Sequence, residues 1–312
     1  MRIGLTYNLK AEQKLQATDP DDRFEEFDSL ETIEGLENAF REHGHTPVRL
    51  GWGPAMLDRL RETKVDGVFN LAEGIGGRGR ESQVPATLEM MGIPCSGADA
   101  VAIGITLDKA LAKLLAKANG IPTAPFAVNE GSNLRYPLFA KPACEGSSMG
   151  ITSSSLCRDE RELNAALKRL AVYGPTLIEE FLPGEEFTVG IIGGEVLGVM
   201  QVVPRSVEPD FIYSLEVKRD YTNRVDYHFV DRKDVSDVAL AVWSAFGLRD
   251  FARVDVRCDR DGRPNFVEVN PLPGMHPVNS DLVILARGMG WSYQQLVGRI
   301  LDVIIARWSP AD

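Results

Sequence analysis

The sequence predicts an α/β unit followed by two α+β units in one chain. Three observations carry this. Strand-like and helix-like runs alternate up to Gly97, the pattern of a parallel sheet. Composition then shifts to a helix rich in Ala, Leu and Lys, followed by mixed short strands and helices. From Gly184 the chain is rich in strands and includes a late β-hairpin whose charged residues share a face. The predicted units are 1–97, 98–183 and 184–312. A length of 312 residues accommodates two or three domains.

The elements follow in order. Ile3–Tyr7 reads as a buried strand, and the polar stretch from Asn8 to Asp28 as a long loop or lid. Ser29 caps a helix running to about Glu42, with Leu30, Ile33, Leu36 and Phe40 at helical spacing, and Gly44 ends it. Pro47–Leu50 is a strand, Met56–Glu62 a short helix, Gly67–Leu71 a strand and Glu81–Met91 a helix; Ile93–Gly97 returns to the sheet edge. In the middle unit Asp108–Asn119 is a helix stopped by Gly120 and Pro122. Strands are predicted at Pro125–Val128, Leu138–Lys141, Ile151–Ser153 and Thr176–Phe181, with a helix over Glu160–Val172. In the last unit come strands Glu186–Ile192 and Val196–Val203, a helix Ser236–Phe246, the hairpin, and a helix Ser292–Arg307.

Bulk properties narrow the function. The charge is −11, so a sequence-independent nucleic-acid binder with its basic stripe is disfavoured. Cys95, Cys144, Cys157 and Cys258 form no C-x-x-C pair, and the four histidines have no metal spacing. The opening apolar run is too short for a signal peptide, and no segment is long enough to span a bilayer. The expectation is a cytoplasmic protein with no membrane partner.

The hairpin is the most informative feature. Its strands are Ala252–Arg257 and Phe266–Asn270, joined by a turn at Cys258–Pro264. Alternation places Asp255 on the first strand, and Glu268 and Asn270 on one face of the second. These are hard oxygen ligands of the kind Mg²⁺ takes when it also holds nucleotide phosphates. Arg253 shares the face of Asp255 and can offset charge on a transferring group.

Two glycine-rich stretches compete for phosphate. Gly74–Gly79 fits G-x-G-x-x-G, but it follows the third strand of its unit, and no carboxylate ends a second strand at the spacing the NAD fingerprint requires. Glu145-Gly-Ser-Ser-Met-Gly150 follows a strand that carries Lys141; its amides and hydroxyls suit anionic oxygens, although a plain turn uses the same residues. Ile178–Leu182 then runs through Pro-Gly to Glu186, a strand and turn that suit a nucleoside or a solvated linker.

In this order the motifs resemble the ATP-grasp enzymes, specifically the D-alanine–D-alanine ligase family. The carriers are Gly92-Ile-Pro-Cys-Ser-Gly97, Leu107-Asp-Lys109, Phe139-Ala-Lys-Pro142, Glu145–Gly150, Glu179–Val189, Ala252–Asp255 and Glu268-Val-Asn270-Pro-Leu-Pro-Gly274. The resemblance covers nearly the whole chain. It implies a three-domain ATP-grasp fold, with an N-terminal parallel-sheet domain and two α+β domains sandwiching ATP. It also implies roles. Lys109 and Lys141 would contact phosphates or adenine, and a loop including Ser147 and Ser148 would cover the triphosphate. Glu179, Glu180, Phe181 and Leu182 would bind adenine, and Glu186 the ribose. Asp255, Glu268 and Asn270 would hold two Mg²⁺ ions, with Mn²⁺ as a substitute. Lys218 would reach the γ-phosphate from a mobile loop. Arg253 and donors near Gly274 would stabilise an oxyanion, and Ser280 would hold the second substrate's carboxylate.

The implied activity is ATP-dependent ligation of two small-molecule amino acids through an acyl phosphate, in a homodimer. The first-substrate subsite departs from the family pattern. The usual Gly-Gly-x-Ser-x-Glu opening is replaced by Tyr7-Asn-Leu-Lys10 and a polar insertion, in which Glu25 is the candidate for the substrate ammonium group. The family's His-Gly is Glu73-Gly74, and the tyrosine after the loop lysine is Arg219. Altered substrates are therefore expected: an L-amino acid, a hydroxy acid or another dipeptide. The competing classes are a non-catalytic nucleotide binder and an NAD-dependent dehydrogenase.

Overall fold

Alternating apolar residues and well-placed caps build three sheets in succession. The computed structural model describes residues 1–131, 133–206 and 210–309. The first sheet comes from β1 (Arg2–Thr6), α1 (Leu30–Glu42), β2 (Thr46–Arg49), α2 (Pro54–Glu62), β3 (Gly67–Asn70) and α3 (Gln83–Met90). Its strands are parallel in the order β2-β1-β3. Ser29 Oγ accepts the Thr32 amide at 3.2 Å and starts α1 where the sequence predicts. Ile33, Leu36 and Phe40 are buried along that helix, whereas Leu30 is 48% exposed. α3 opens later than expected because Arg80–Ser82 forms a 3₁₀ turn ahead of it.

The middle stretch contains α4 (Ala100–Leu107), α5 (Lys109–Ala118), β4 (Phe126–Val128), β5 (Leu138–Pro142), β6 (Leu156–Cys157), α6 (Glu160–Leu170) and β7 (Thr176–Glu180). The strands form an antiparallel sheet in the order β4-β7-β5-β6. Helix α4 adds to the elements expected from the sequence; Asp99 caps it by accepting the Val101 and Ala102 amides at 3.1 and 2.9 Å. The strand expected at Ile151–Ser153 does not form. Thr152 instead caps a 3₁₀ turn, exchanging hydrogen bonds with Ser154 and Ser155, and pairing is delayed to Leu156.

The last stretch comprises β8 (Glu186–Ile192), β9 (Glu195–Pro204), α7 (Leu215–Arg219), α8 (Tyr221–Arg224), β10 (Val225–Val230), α9 (Lys233–Ala245), β11 (Phe251–Cys258), β12 (Pro264–Asn270), α10 (Asp281–Gly288) and α11 (Tyr293–Trp308). The sheet is antiparallel, in the order β10-β9-β8-β11-β12. α7, α8, β10 and α10 add to the elements expected from the sequence.

The cores explain how the sheets are held. α4, α5 and α9 bury Ile103, Ala112, Val238 and Val242 against Val254, Val256 and Phe266 of the five-stranded sheet. α11 returns to the first sheet, where Leu296, Val297, Ile300 and Leu301 join Ile3, Leu5, Leu36 and Phe69. α6 covers the four-stranded sheet with Leu163, Ala166 and Leu170.

One register detail positions the site. Along β11, Ala252, Val254 and Val256 enter the core, so Arg253, Asp255 and Arg257 face the other way. On β12, Asp255 lies opposite Glu268 but Val256 lies opposite Phe266, which leaves Val267 as an extra residue. This β-bulge lets Phe266 stay in the core while Glu268 faces outward; strict alternation would put both on one side.

Candidate active site

The site is built on that outward face. Asp255 pairs with Glu268 and Arg253 with Asn270 across the hairpin. Asp255, Glu268 and Arg257 line a cleft between the four- and five-stranded sheets, together with Lys141, Glu179, Phe181, Leu182, Glu186, Lys218 and Asp281. Arg253 reaches Asp255 at 3.0 Å and Asp281 at 3.1 Å, with Glu268 at 3.8 Å. Thr188 donates to Asp255 Oδ1 at 2.9 Å. Asn270 Oδ1 accepts the Leu272 amide at 2.9 Å, which rigidifies the start of the Pro/Gly turn.

Electrostatics separate the two hairpin carboxylates. Burial pushes both upward. For Glu268, however, Lys109, Lys141, Arg253 and Lys218 outweigh burial and hold its pKa at about 2. Asp255 stays raised, because burial and the neighbouring Glu268 exceed the pull of Arg253. Glu268 is therefore firmly anionic, 3.5 Å from Lys109.

A buried ion-pair cluster lies at the cleft floor. Glu179 sits between two buried lysines, Lys141 at 2.7 Å and Lys113 still closer. Burial raises this carboxyl, but the two lysines outweigh it and leave it below its ordinary range. The carboxylate of Glu179 is thus committed within the protein. Glu180 also lines the cleft, and its carboxylate pairs with Arg135 at 2.9 Å. Glu186 pairs with Arg257 at 2.9 Å, and Arg257 stacks over Phe181 with 4.9 Å to the ring centroid.

The loop at Gly146–Gly150 lies over this region. Ser147 and Ser148 take φ values of 45° and 58°, the left-handed region that side chains resist. Ser148 lines the cleft and donates to the Tyr213 carbonyl at 3.3 Å. Lys109 donates to the Glu145 carbonyl at 2.5 Å. Lys218 lies 4.9 Å from the Tyr213 ring centre and 4.0 Å from Asp281.

A second pocket adjoins the hairpin, lined by Glu26, Glu73, Glu81, Lys109, Ser147, Glu268 and Asn270. Oxygens of Glu26, Glu73 and Glu81 lie within 4.8 Å of one another. Burial, and then the charges of Glu81 and Glu26, push Glu73 well up; burial and Glu26 bring Glu81 to about 8. Glu73 thus lines this pocket beside the hairpin. Glu25 does not line this pocket: Lys10 and Arg219 each grip it at 2.6 Å, so these two expected substrate residues hold each other. The neighbouring Glu26 points inward instead. Ser280 precedes α10, accepts the His276 amide at 2.9 Å and packs closely on Gly274.

The glycines at 74–79 do not open a helix directly; the 3₁₀ turn at Arg80 follows them. Their neighbourhood joins units: Arg80 bonds Glu26 at 2.9 Å and the Cys144 carbonyl at 2.8 Å.

Sequence reasoning missed Lys113, Asp281, Glu26, Glu81 and Arg80. Lys113 looked like one lysine among several on an amphipathic helix, and only its full burial marks it. Asp281 lies beyond the resemblance motifs, in a helix that was not anticipated. Glu26 adjoins the residue chosen in its place.

The family model described as D-ala D-ala ligase C-terminus matches residues 112–302. A D-alanine–D-alanine ligase of Aquifex aeolicus is 31% identical over 285 residues, covering 88% of this chain and 94% of its own. An uncharacterised protein, y4sG, of Sinorhizobium fredii is 32% identical over 258 residues, covering 77% and 75%. Among solved structures, the D-alanine–D-alanine ligase of Bacillus anthracis complexed with ATP matches with a TM-score of 0.74 and 22% identity, covering 99% of this chain and 98% of its own. The VanG D-Ala:D-Ser ligase of Enterococcus faecalis matches with a TM-score of 0.72 and 21% identity, covering 99% of both chains.

Proposed function

The chain belongs to the D-alanine–D-alanine ligase family, and from that premise we propose how its cleft works. It is an ATP-dependent ligase of the carboxylate–amine class. In the proposed reaction the carboxylate of one amino acid attacks the γ-phosphorus of ATP, and ADP leaves. The free amine of a second amino acid then attacks the acyl carbon. The amine loses its proton, the tetrahedral oxyanion collapses, and phosphate departs with the oxygen that made the first attack.

One observation carries this reading: Asp255 and Glu268 are paired on a single face, with Arg253 and Asn270 beside them, at a cleft lined by lysines. The donor set fits Mg²⁺. Both carboxylates are hard ligands, and the Asn270 oxygen keeps a lone pair after accepting from Leu272. Two Mg²⁺ ions held by Asp255, Glu268 and Asn270 would neutralise charge on the phosphoryl group; Mn²⁺ shares the preference for such ligands. Phosphate is fitted too. Lys141, Lys218, Arg257 and the Ser148 hydroxyl line the same cleft, donors that suit anionic oxygens.

The residues divide the work accordingly. Lys109, Lys141 and Lys218 neutralise phosphates, and Ser147 and Ser148 cover them. Phe181 and Leu182 flank the base, while Glu186, its charge balanced by Arg257, serves the ribose. Arg253 and the turn at Gly274 polarise the acyl oxygen. Closure keeps water from the acyl phosphate.

The proposed substrates include D-alanine, after the names of the relatives. The second pocket favours a further reading. Three carboxyl groups crowd this pocket, and burial and their mutual repulsion push Glu73 and Glu81 toward the neutral form; a substrate cation would relieve that repulsion and restore their charge, which suits an amino acid with positive charge beyond that of alanine. A panel of D- and L-amino acids, scored by phosphate release, tests both. Turnover confined to D-alanine sinks the second reading, and no amino-acid-dependent release sinks the first.

The division at 97 and 183, a cytoplasmic location and a homodimer belong to the same proposal. Each proposed unit carries one sheet, and four free thiols suit a reducing compartment. Among the described residues no helix is long and apolar enough to cross a membrane. The homodimer rests on family resemblance, and light scattering tests it.

A further inference from the structure

We infer that the insertion at 8–28 is a strap that fixes the shape of the Gly146–Gly150 loop, with Asp22 and Glu26 as positioning residues gripping its two ends. The inference rests on the proposed role of that loop as the cover for nucleotide phosphates.

The strap is pinched at its base. Leu9 bridges to Asp28, the Asp28 amide donates to the Asn8 carbonyl at 3.0 Å, and the Lys10 amide donates to the Asp28 carbonyl at 3.0 Å. Phe27 is buried beside this closure. Its acidic side chains then leave in different directions. Asp22 Oδ2 accepts the Gly150 amide at 2.8 Å, and its other oxygen accepts the Tyr173 hydroxyl at 2.7 Å. Glu26 Oε1 accepts the Gly146 amide, and Oε2 takes Arg80 at 2.9 Å. Arg80 in turn reaches Glu145 at 3.2 Å. Glu25 pairs with Arg219, the residue after Lys218, at 2.6 Å.

The pattern has a physical purpose. Ser147 and Ser148 are consecutive left-handed residues, and such strain persists only where the surroundings over-determine it. Carboxylate-to-amide bonds at both flanks supply that determination, because charge-assisted bonds are the strong ones. The fit at one end is close, since a Cβ at Gly146 would collide with Glu26. The grips fall on the end amides, while Ser148 between them lines the nucleotide cleft and Ser147 the pocket beside Glu268. The strap therefore holds the loop without competing for its phosphate-facing part. Through Glu25 it also ties the Lys218 segment to the same frame.

Steady-state kinetics of Asp22→Ala and Asp22→Asn, with ATP and amino acid varied in turn, test this. Wild-type protein must first show amino-acid-dependent phosphate release; its absence would remove the functional reading and leave the strap undecided by kinetics, in which case hydrogen exchange at the Gly146–Gly150 amides decides. There, Asp22→Ala is expected to speed exchange of the Gly150 amide at least about tenfold, and unchanged exchange overturns the inference. With active protein, Asp22→Ala raises KM for ATP about tenfold and leaves KM for the amino acids within about twofold. Asp22→Asn keeps an oxygen acceptor for Gly150 and restores most of the loss. An unchanged or lowered KM for ATP overturns the inference. So does an equal rise for both substrates together with a lowered melting midpoint, the mark of a merely structural residue. Should Asp22→Ala fail to fold, Tyr173→Phe removes only the outer support of Asp22, and the same split or its absence decides.

Discussion

Arg253 and Asp281 meet at 3.1 Å, although one stands on the hairpin and the other opens α10. Asp281 also accepts the Tyr213 hydroxyl at 3.2 Å and lies 4.0 Å from Lys218. It thus aims two cations that the proposed chemistry uses. Replacing it with asparagine keeps the shape and removes the charge. Asp281→Asn is expected to lower kcat about 10- to 100-fold with an unchanged circular-dichroism spectrum, by analogy with other outer-shell partners. A kcat within about twofold of wild type would remove Asp281 from the account.

The hairpin carboxylates already have protein partners, Arg253 and Lys109. Folding therefore does not wait for a metal. EDTA should abolish amino-acid-dependent phosphate release while moving the melting midpoint by no more than about 2 °C, unlike sites where metal binding is folding energy. Mg²⁺ should restore activity to wild type and fail to restore it in Glu268→Gln. Calorimetry and a phosphate assay on the same sample check both halves.

Lys113 is fully buried against Glu179. Removing one partner of a buried ion pair costs more than the pair itself contributes, because the remaining charge is stranded. Lys141 still faces Glu179, which softens the loss. Lys113→Met should lower stability by about 3 kcal/mol in urea unfolding and weaken ATP binding in the same variant. A change below about 1 kcal/mol would mean that Lys141 alone satisfies Glu179.

Glu81 gives a pH dependence with a definite sign. Burial, reinforced by Glu26, raises its pKa to about 8, so the folded protein binds a proton that the unfolded chain has released. Its contribution to stability is complete below the ordinary glutamate range and is lost as pH rises to about 8. Glu81→Gln should flatten the fall in melting midpoint between about pH 5 and pH 8 and stabilise the protein by at least about 1 kcal/mol at the upper end. Parallel pH profiles for the two proteins would show that Glu81 is charged throughout.

Much of this was legible in the residues themselves. Period-two alternation placed Arg253, Asp255, Glu268 and Asn270 on one hairpin face, and the observed register pairs them two by two. Ser29 announced its helix by capping. What stayed hidden depends on long-range packing. The bulge at Val267 is a tertiary solution that keeps Phe266 in the core, and alternation alone cannot signal it. Glu25 and Glu26 are adjacent in a loop without periodicity, so only the fold decides which one turns to the pocket and which to Arg219. Lys113 and Asp281 become informative only once burial and partners from distant strands are known.

The central claim is that a carboxylate is activated as an acyl phosphate at this hairpin. Mass spectrometry of the phosphate released from an amino acid labelled with ¹⁸O in its carboxylate tests it directly. The account predicts one labelled oxygen in each phosphate, formed together with one dipeptide. Unlabelled phosphate accompanying dipeptide, or phosphate release indifferent to every amino acid offered, would contradict it.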